Sequence, residues 1–199
     1  MTITNGYCTL AELRARIGNI DADNTDSDSM LENIIEASSR WIDWNRRRVF
    51  YKTAEERKFT PRFQDRIWID DAITVTTVEV AINSGRTYST WDSDDYDIFP
   101  ANETPTVALY VAPDVGKYFI PGLRDSVKIT ADWGFSDGAP LNIKEACLLM
   151  SVYIWMRKDA PLGVSGISAI VGEMSSQPHM IPEDIRGMLY ATPRRIRGM

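Results

Sequence analysis

The sequence predicts an α+β protein. Its expected architecture is an antiparallel pair of long helices, preceded by a short N-terminal helix, with an inserted, mostly antiparallel β-sandwich or small barrel and an extended C-terminal tail. Three observations lead there. Two stretches, Ser29–Phe50 and Leu141–Arg157, repeat apolar residues three to four positions apart, the spacing of a helix face. From Thr53 to Asp132 the chain changes to short β-branched runs broken by turn residues, with no room for helices between them. Beyond the second helix, glycine, serine and arginine replace the apolar periodicity. The boundaries that follow are 1–52 and 138–160 for a helical body, 53–137 for the inserted β domain, and 161–199 for a flexible tail with a short helix at 182–190.

The first helix is marked by Leu10, Leu13 and Ile17. Thr9 and Glu12 have capping-box spacing ahead of it, and Gly18 ends it. An acidic loop with Asp21, Asp23, Asp26 and Asp28 follows. With Glu32 it shares part of the spacing of a calcium loop, but Asp26 stands where such a loop needs glycine and Asp28 where it carries an apolar residue. Its carboxylates are instead expected to favour the N-terminus of the next helix. That helix has Met30, Leu31, Ile34, Ile35, Trp41, Ile42 and Val49 on one face, Ser29 and Glu32 as a second capping box, and Arg46, Arg47 and Arg48 at its C-terminal end.

In the β region, Arg66–Asp70 alternates and Val75–Ile82 is β-branched before the turn Asn83-Ser84-Gly85-Arg86. Tyr96–Ile98, Val107–Val111 and Val127–Trp133 add strands, with Pro100, Pro105, Pro113 and Pro121 between runs. The helix after Pro140 is apolar around nearly its whole circumference. The Ser29 helix can cover one side, so the rest calls for the β insert or a neighbouring subunit, and Leu148, Leu149, Val152, Trp155 and Met156 become candidate subunit-interface residues. Arg46, Arg47 and Arg48 join them as a junction to the β insert or an inter-subunit pairing site. In the tail, Pro182, Glu183 and Asp184 suit the first turn of a helix, and from Arg186 onward there are four arginines and no acids. A basic tail on an acidic chain reads as a docking peptide.

Composition excludes several functions. The 199 residues carry a net charge of −6, unlike a general nucleic-acid binder. The two cysteines, Cys8 and Cys147, lack CxxC spacing and are expected as reduced, buried thiols. No apolar run reaches the length of a membrane span, so no membrane is expected. His179 is the only histidine and has no partner at metal-ligand spacing. Asp70-Asp71 and Asp94-Asp95 are candidates for acid–base work, but neighbours on a strand face opposite ways and form no shared site without a bulge, so they read as turn residues. No phosphate-binding or nucleophile motif is present. The reading is therefore no enzyme, no metal and no cofactor. Tyr88, Trp91 and Tyr96, expected exposed near turns, leave a ligand- or carbohydrate-binding β module as an alternative.

The order of elements adds a resemblance. Tyr7-Cys8-Thr9-Leu10-Ala11-Glu12-Leu13 is followed by the Asp-rich loop and by Leu31…Ile34-Ile35…Ala37-Ser38…Trp41-Ile42…Arg48-Val49-Phe50. Then come Val127–Phe135, Ile143-Lys144-Glu145-Ala146 after Pro140, and Leu189-Tyr190…Arg194-Arg195. Over most of its length the chain resembles the head–tail connector (adaptor, head-completion) proteins of tailed bacteriophages and gene-transfer particles. The helices match best and the β insert least.

The resemblance implies a non-enzymatic virion protein of the neck, assembled in the host cytoplasm as a homo-oligomeric ring of about twelve copies matching the portal's symmetry. It implies docking on the portal protein through the tail, for which Ile181, Pro182, Ile185, Met188, Leu189, Tyr190, Arg194, Arg195 and Arg197 are the candidates. It also implies contact with the next tail or stopper protein, and a lumen through which genomic DNA passes without sequence specificity. The acidic balance suits such a channel, because few fixed positive charges would retain DNA. A tail-side completion protein is the close alternative.

Overall fold

The computed structural model describes residues 3–18, 25–83, 87–157 and 181–192. They fall into two compact units, a helical one within residues 1–47 and 140–195, and a β unit within 48–139. Gly163–Ser176, His179, Arg194, Arg195 and Arg197 lie outside the described residues.

The helical unit contains α1 (Leu10–Ile17), α2 (Asp28–Arg46), α3 (Leu141–Met156) and α4 (Glu183–Tyr190). The capping box on α1 forms: Thr9 Oγ1 accepts the Glu12 N–H at 3.2 Å and the Glu12 carboxylate accepts the Thr9 N–H at 3.0 Å. Gly18 closes the helix in the left-handed conformation, its N–H reaching Arg14 O. The box expected at Ser29 and Glu32 does not cap α2, which begins at Asp28, with Ser27, two residues before Ser29, in the capping position. Asp28 instead receives Arg14 Nε at 2.8 Å, so this acid of the Asp-rich loop ties α1 to the start of α2.

The second expected boundary also moves. Arg47 adopts φ 53° and ends α2, its N–H bonding to Asp43 O. Val49 and Phe50 therefore leave the helix and join the β unit. There Val49 O accepts the Phe135 N–H at 2.9 Å, and Phe50 packs on Phe135 with centroids 5.4 Å apart.

The apolar helix α3 is central: α1, α2 and α4 all pack against it. Ile143, Ala146, Cys147, Leu148, Met150, Ser151 and Trp155 are buried on it. Leu31, Ile34, Ile35 and Ile42 are buried on α2, where small residues let the two helices approach. Ser151 donates to Ser38 Oγ at 3.2 Å, both hydroxyls fully enclosed. Three helices of the same unit thus cover much of the apolar circumference of α3.

The β unit consists of β1 (Thr53–Phe59), β2 (Arg66–Ala81), β3 (Tyr88–Trp91), β4 (Tyr96–Phe99), β5 (Thr106–Val111) and β6 (Val127–Trp133). They form one antiparallel sheet in the order β1-β6-β2-β5-β4, with β3 also on β2. Among the described residues no ladder joins β1 to β4. The insert is antiparallel as expected, but it is a single open sheet and not a closed barrel.

The hub is β2. Arg66 and Trp68 pair with Tyr110 and Ala108 of β5, Val75 and Val80 with Ala131 and Val127 of β6, and Val78 and Ala81 with Trp91 and Tyr88 of β3. Register shifts between Trp68 and Ala72, Ala72 and Thr74, and Val75 and Thr77 mark where it bends. The two runs expected as separate strands are therefore one, and Asp70-Asp71, expected in a turn, lie at its irregularity. Asp94 and Asp95 do lie in a tight 3-10 turn, Ser93–Asp95.

Ile67, Ile69, Val78, Val80, Leu109, Phe119, Val127, Ile129 and Trp133 form the core of this unit. Gly134, just after β6, has φ +139°, and a Cβ there would lie 2.4 Å from Tyr51 O. Its N–H donates to Asp71 O at 2.8 Å. Gly134→Ala is expected to cost about 2–4 kcal/mol, read as a lower urea midpoint, because both the backbone conformation and the space exclude a side chain.

Candidate docking surface

The tail helix α4 is seated on the helical unit. Ile185 and Leu189 are buried, Ile181, Pro182 and Met188 are half-buried, and Tyr190 is 70% exposed. Pro182 occupies the position just before the helix, where its missing N–H costs nothing. Asn142 of α3 holds the other end, donating to Met188 O at 3.0 Å and to Thr192 Oγ1 at 2.8 Å. Of the docking candidates described, Tyr190 is exposed and Ile181, Pro182 and Met188 keep part of their surface free. Ile185 and Leu189 are part of the unit's own core.

The three consecutive arginines go to different places. Arg46 is buried at 4% exposure, donates from Nη2 to Thr192 O at 2.8 Å, and lies 5.3 Å from the centre of the Tyr190 ring. Arg47 caps α2 and is exposed. Arg48 belongs to the β unit, with Nε 3.6 Å from the buried Asp71 carboxylate and its guanidinium 5.1 Å from the Phe135 ring. Trp41, Asn45, Arg46, Ile181, Arg186 and Tyr190 border a cleft of about 230 Å³ between α2 and α4. Asn142 and Asn45 have no place in the sequence reading, and Trp41 enters it only as part of the apolar face of α2. Their contacts to residues more than forty positions away leave no local spacing to read.

On α3, Leu148 and Trp155 face inward, Leu149 and Val152 are half-buried, and Met156 is 70% exposed. Trp91 is 7% exposed and stacks on Phe119 with centroids 4.9 Å apart, while Tyr88 and Tyr96 are half-buried. The exposed aromatic platform expected of a carbohydrate-binding module is therefore absent at Trp91. Among the described residues, no cluster of three or more His, Cys, Asp or Glu side chains could hold a metal ion, and no helix is long and apolar enough to cross a membrane.

Ion pairs join elements within each unit. Glu12 is held below the usual carboxylate range by the Lys144 ammonium, Asp95 by Lys117, and Asp132 by Lys52 and then Thr74. A carboxylate depressed in the folded state stabilises above its unfolded pKa of about 4 and loses that contribution as pH falls through the folded value. Urea midpoints are therefore expected to hold from pH 7 to about pH 4.5 and to fall below about pH 4, with Lys144→Gln reducing the drop.

The two units together define a full-length α+β fold that is also found in particle necks. A chain from the virion of a native gene transfer agent (GTA) particle has a TM-score of 0.64 at 15% identity. A chain from the neck of an empty GTA particle, computed with C6 symmetry, scores 0.62 at 15% identity, and one from the neck of a native GTA particle, computed with C12 symmetry, scores 0.59 at 14%. Each comparison covers 100% of this chain and 96% of the other. No family model and no curated protein matches the sequence.

Proposed function

We propose that this protein is a structural, non-enzymatic subunit of the neck of a tailed-phage-like particle. In this reading it forms a homo-oligomeric adaptor ring between the portal vertex of the head and the next tail or stopper protein, and the ring surrounds the DNA exit channel. The observation that carries the proposal is the full-length correspondence, over helical and β parts together, with chains of GTA necks and virions. The C6 and C12 symmetry of two of those necks supports a ring, and about twelve copies would match a portal.

Leu149, Val152, Met156 and Arg47 are the surfaces available for contacts between copies. Ile181, Pro182, Met188 and Tyr190, with Arg194, Arg195 and Arg197 further along the sequence, are those offered to the portal. The net charge of −6 favours passage of DNA without retention.

Truncation after Met180 is a poor test of docking, since it would also remove Ile185 and Leu189 from the core. A chain ended after Thr192 keeps α4 and its bonds to Asn142 and Arg46 but lacks Arg194, Arg195 and Arg197. It is expected to bind portal-bearing heads at least tenfold more weakly than the full chain in co-sedimentation, with an unchanged urea midpoint. Undiminished binding would remove the basic tail from the docking surface.

A further inference from the structure

Cys8 and Cys147 are the only cysteines of the chain and lie 139 positions apart in sequence, yet their sulfurs are 3.6 Å apart. Both side chains are buried and both thiols are free. Cys8 stands at the end of an N-terminal segment strapped along α2. The Thr4 and Asn5 N–H groups donate to Glu36, the Tyr7 N–H donates to Ser39 Oγ at 3.0 Å, and Arg40 donates to Asn5 O at 2.8 Å. Cys147 stands on the central helix α3, where Ser39 Oγ lies 3.4 Å from its sulfur. Helix packing and strap thus hold the two sulfurs facing each other, each fixed by elements that do not depend on the contact itself.

We infer that Cys8 and Cys147 form an oxidisable dithiol, which a peroxide converts to an intramolecular disulfide that staples the N-terminal segment to α3. The sulfurs must close by roughly 1.5 Å to reach bonding distance, within reach of small side-chain rotations.

Either sulfur can donate in this contact, and whichever accepts is stabilised as a thiolate; the shared bond holds the Cys147 thiol below its ordinary value and, with burial, pushes Cys8 up. The step is written with Cys147 attacking first; with the two sulfurs exchanged the product is the same. The Cys147 thiolate attacks one peroxide oxygen, the O–O bond breaks, and the leaving oxygen departs as hydroxide, giving a sulfenic acid. The Cys8 sulfur then attacks the sulfenic sulfur. The S–S bond forms, the S–O bond breaks, and the hydroxyl leaves with the Cys8 proton as water. Overall two thiols and one hydrogen peroxide give one disulfide and two waters; the sulfurs are oxidised and the peroxide oxygens reduced.

The link has a structural consequence. The helical unit is built from two chain segments, one on each side of the β insert. The disulfide would join those segments covalently and restrict the unfolded chain over a long loop.

The test uses the full reduced chain under native conditions with hydrogen peroxide. The expected product is a monomer lighter by two hydrogens, with no thiol titratable in denaturant and a Cys8–Cys147 linked peptide. Its thermal midpoint should rise by about 5–15 °C and return on adding dithiothreitol. Cys8→Ser and Cys147→Ser should show no such rise. Two titratable thiols after treatment, oxygen added to either sulfur without a cross-link, linked dimers as the main product, or the same rise in a serine variant would each overturn the inference.

Discussion

Trp133→Ala is expected to lower the unfolding free energy by about 3–5 kcal/mol, the largest loss from any single side chain of the β unit. Trp133 is 1% exposed at the end of β6, which pairs with both β1 and β2. Its indole N–H donates to Glu55 O at 2.8 Å, its ring lies 5.5 Å from Phe59, and the Arg57 guanidinium sits 4.7 Å from its centre. Truncation leaves a cavity where strands meet and an acceptor on β1 without this donor, so transfer, cavity and hydrogen-bond terms add. Trp133→Phe keeps much of the volume but not the N–H, and should cost about half as much. The check is urea unfolding with the slope held constant; a midpoint like that of the parent protein would contradict the central place of this side chain.

Arg46→Ala is expected to cost about 2–4 kcal/mol, while Arg47→Ala, one residue on, should stay within about 0.5 kcal/mol. The difference follows from burial. Arg46 is enclosed and gives a charge-assisted hydrogen bond to Thr192 O beside the Tyr190 ring, whereas Arg47 is exposed at the end of α2. Losing Arg46 leaves a carbonyl near the end of α4 without that donor and opens the floor of the α2–α4 cleft. Amide exchange in α4 should accelerate in Arg46→Ala and not in Arg47→Ala. Equal effects at the two positions would mean that the arginines act as one surface patch.

Local patterns in the chain were readable where the physics is local. Thr9, Glu12 and Gly18 announce α1 because capping needs only neighbouring backbone, and α3 is legible because apolar residues dominate the stretch between Pro140 and Arg157. The end of α2 was not, since Arg47 is a poor sequence signal for a left-handed cap, and Val49 and Phe50 continue the apolar spacing while belonging to the β unit. The long strand β2 read as two because Asp70-Asp71 resemble a turn. Their acidity is accommodated by Arg57 and Arg48, which no short-range rule pairs with them. β3 was missed because Tyr88–Trp91 is too short to alternate, and the same gap made a buried Trp91 look like an exposed platform. The segment proposed for docking was legible as a helix, α4, with basic residues following it in the sequence. Which face of that helix its own unit covers depends on Asn142 and Arg46, contacts set by tertiary packing.

The most direct measurement of the adaptor-ring proposal is cryo-microscopy of the parent particle's neck. The account predicts one ring of about twelve copies directly beneath the portal, with Leu149, Val152 and Met156 between neighbouring copies and the segment after Thr192 against portal density. A chain located in the tail tube, on the capsid surface, or in the neck without portal contact would contradict it.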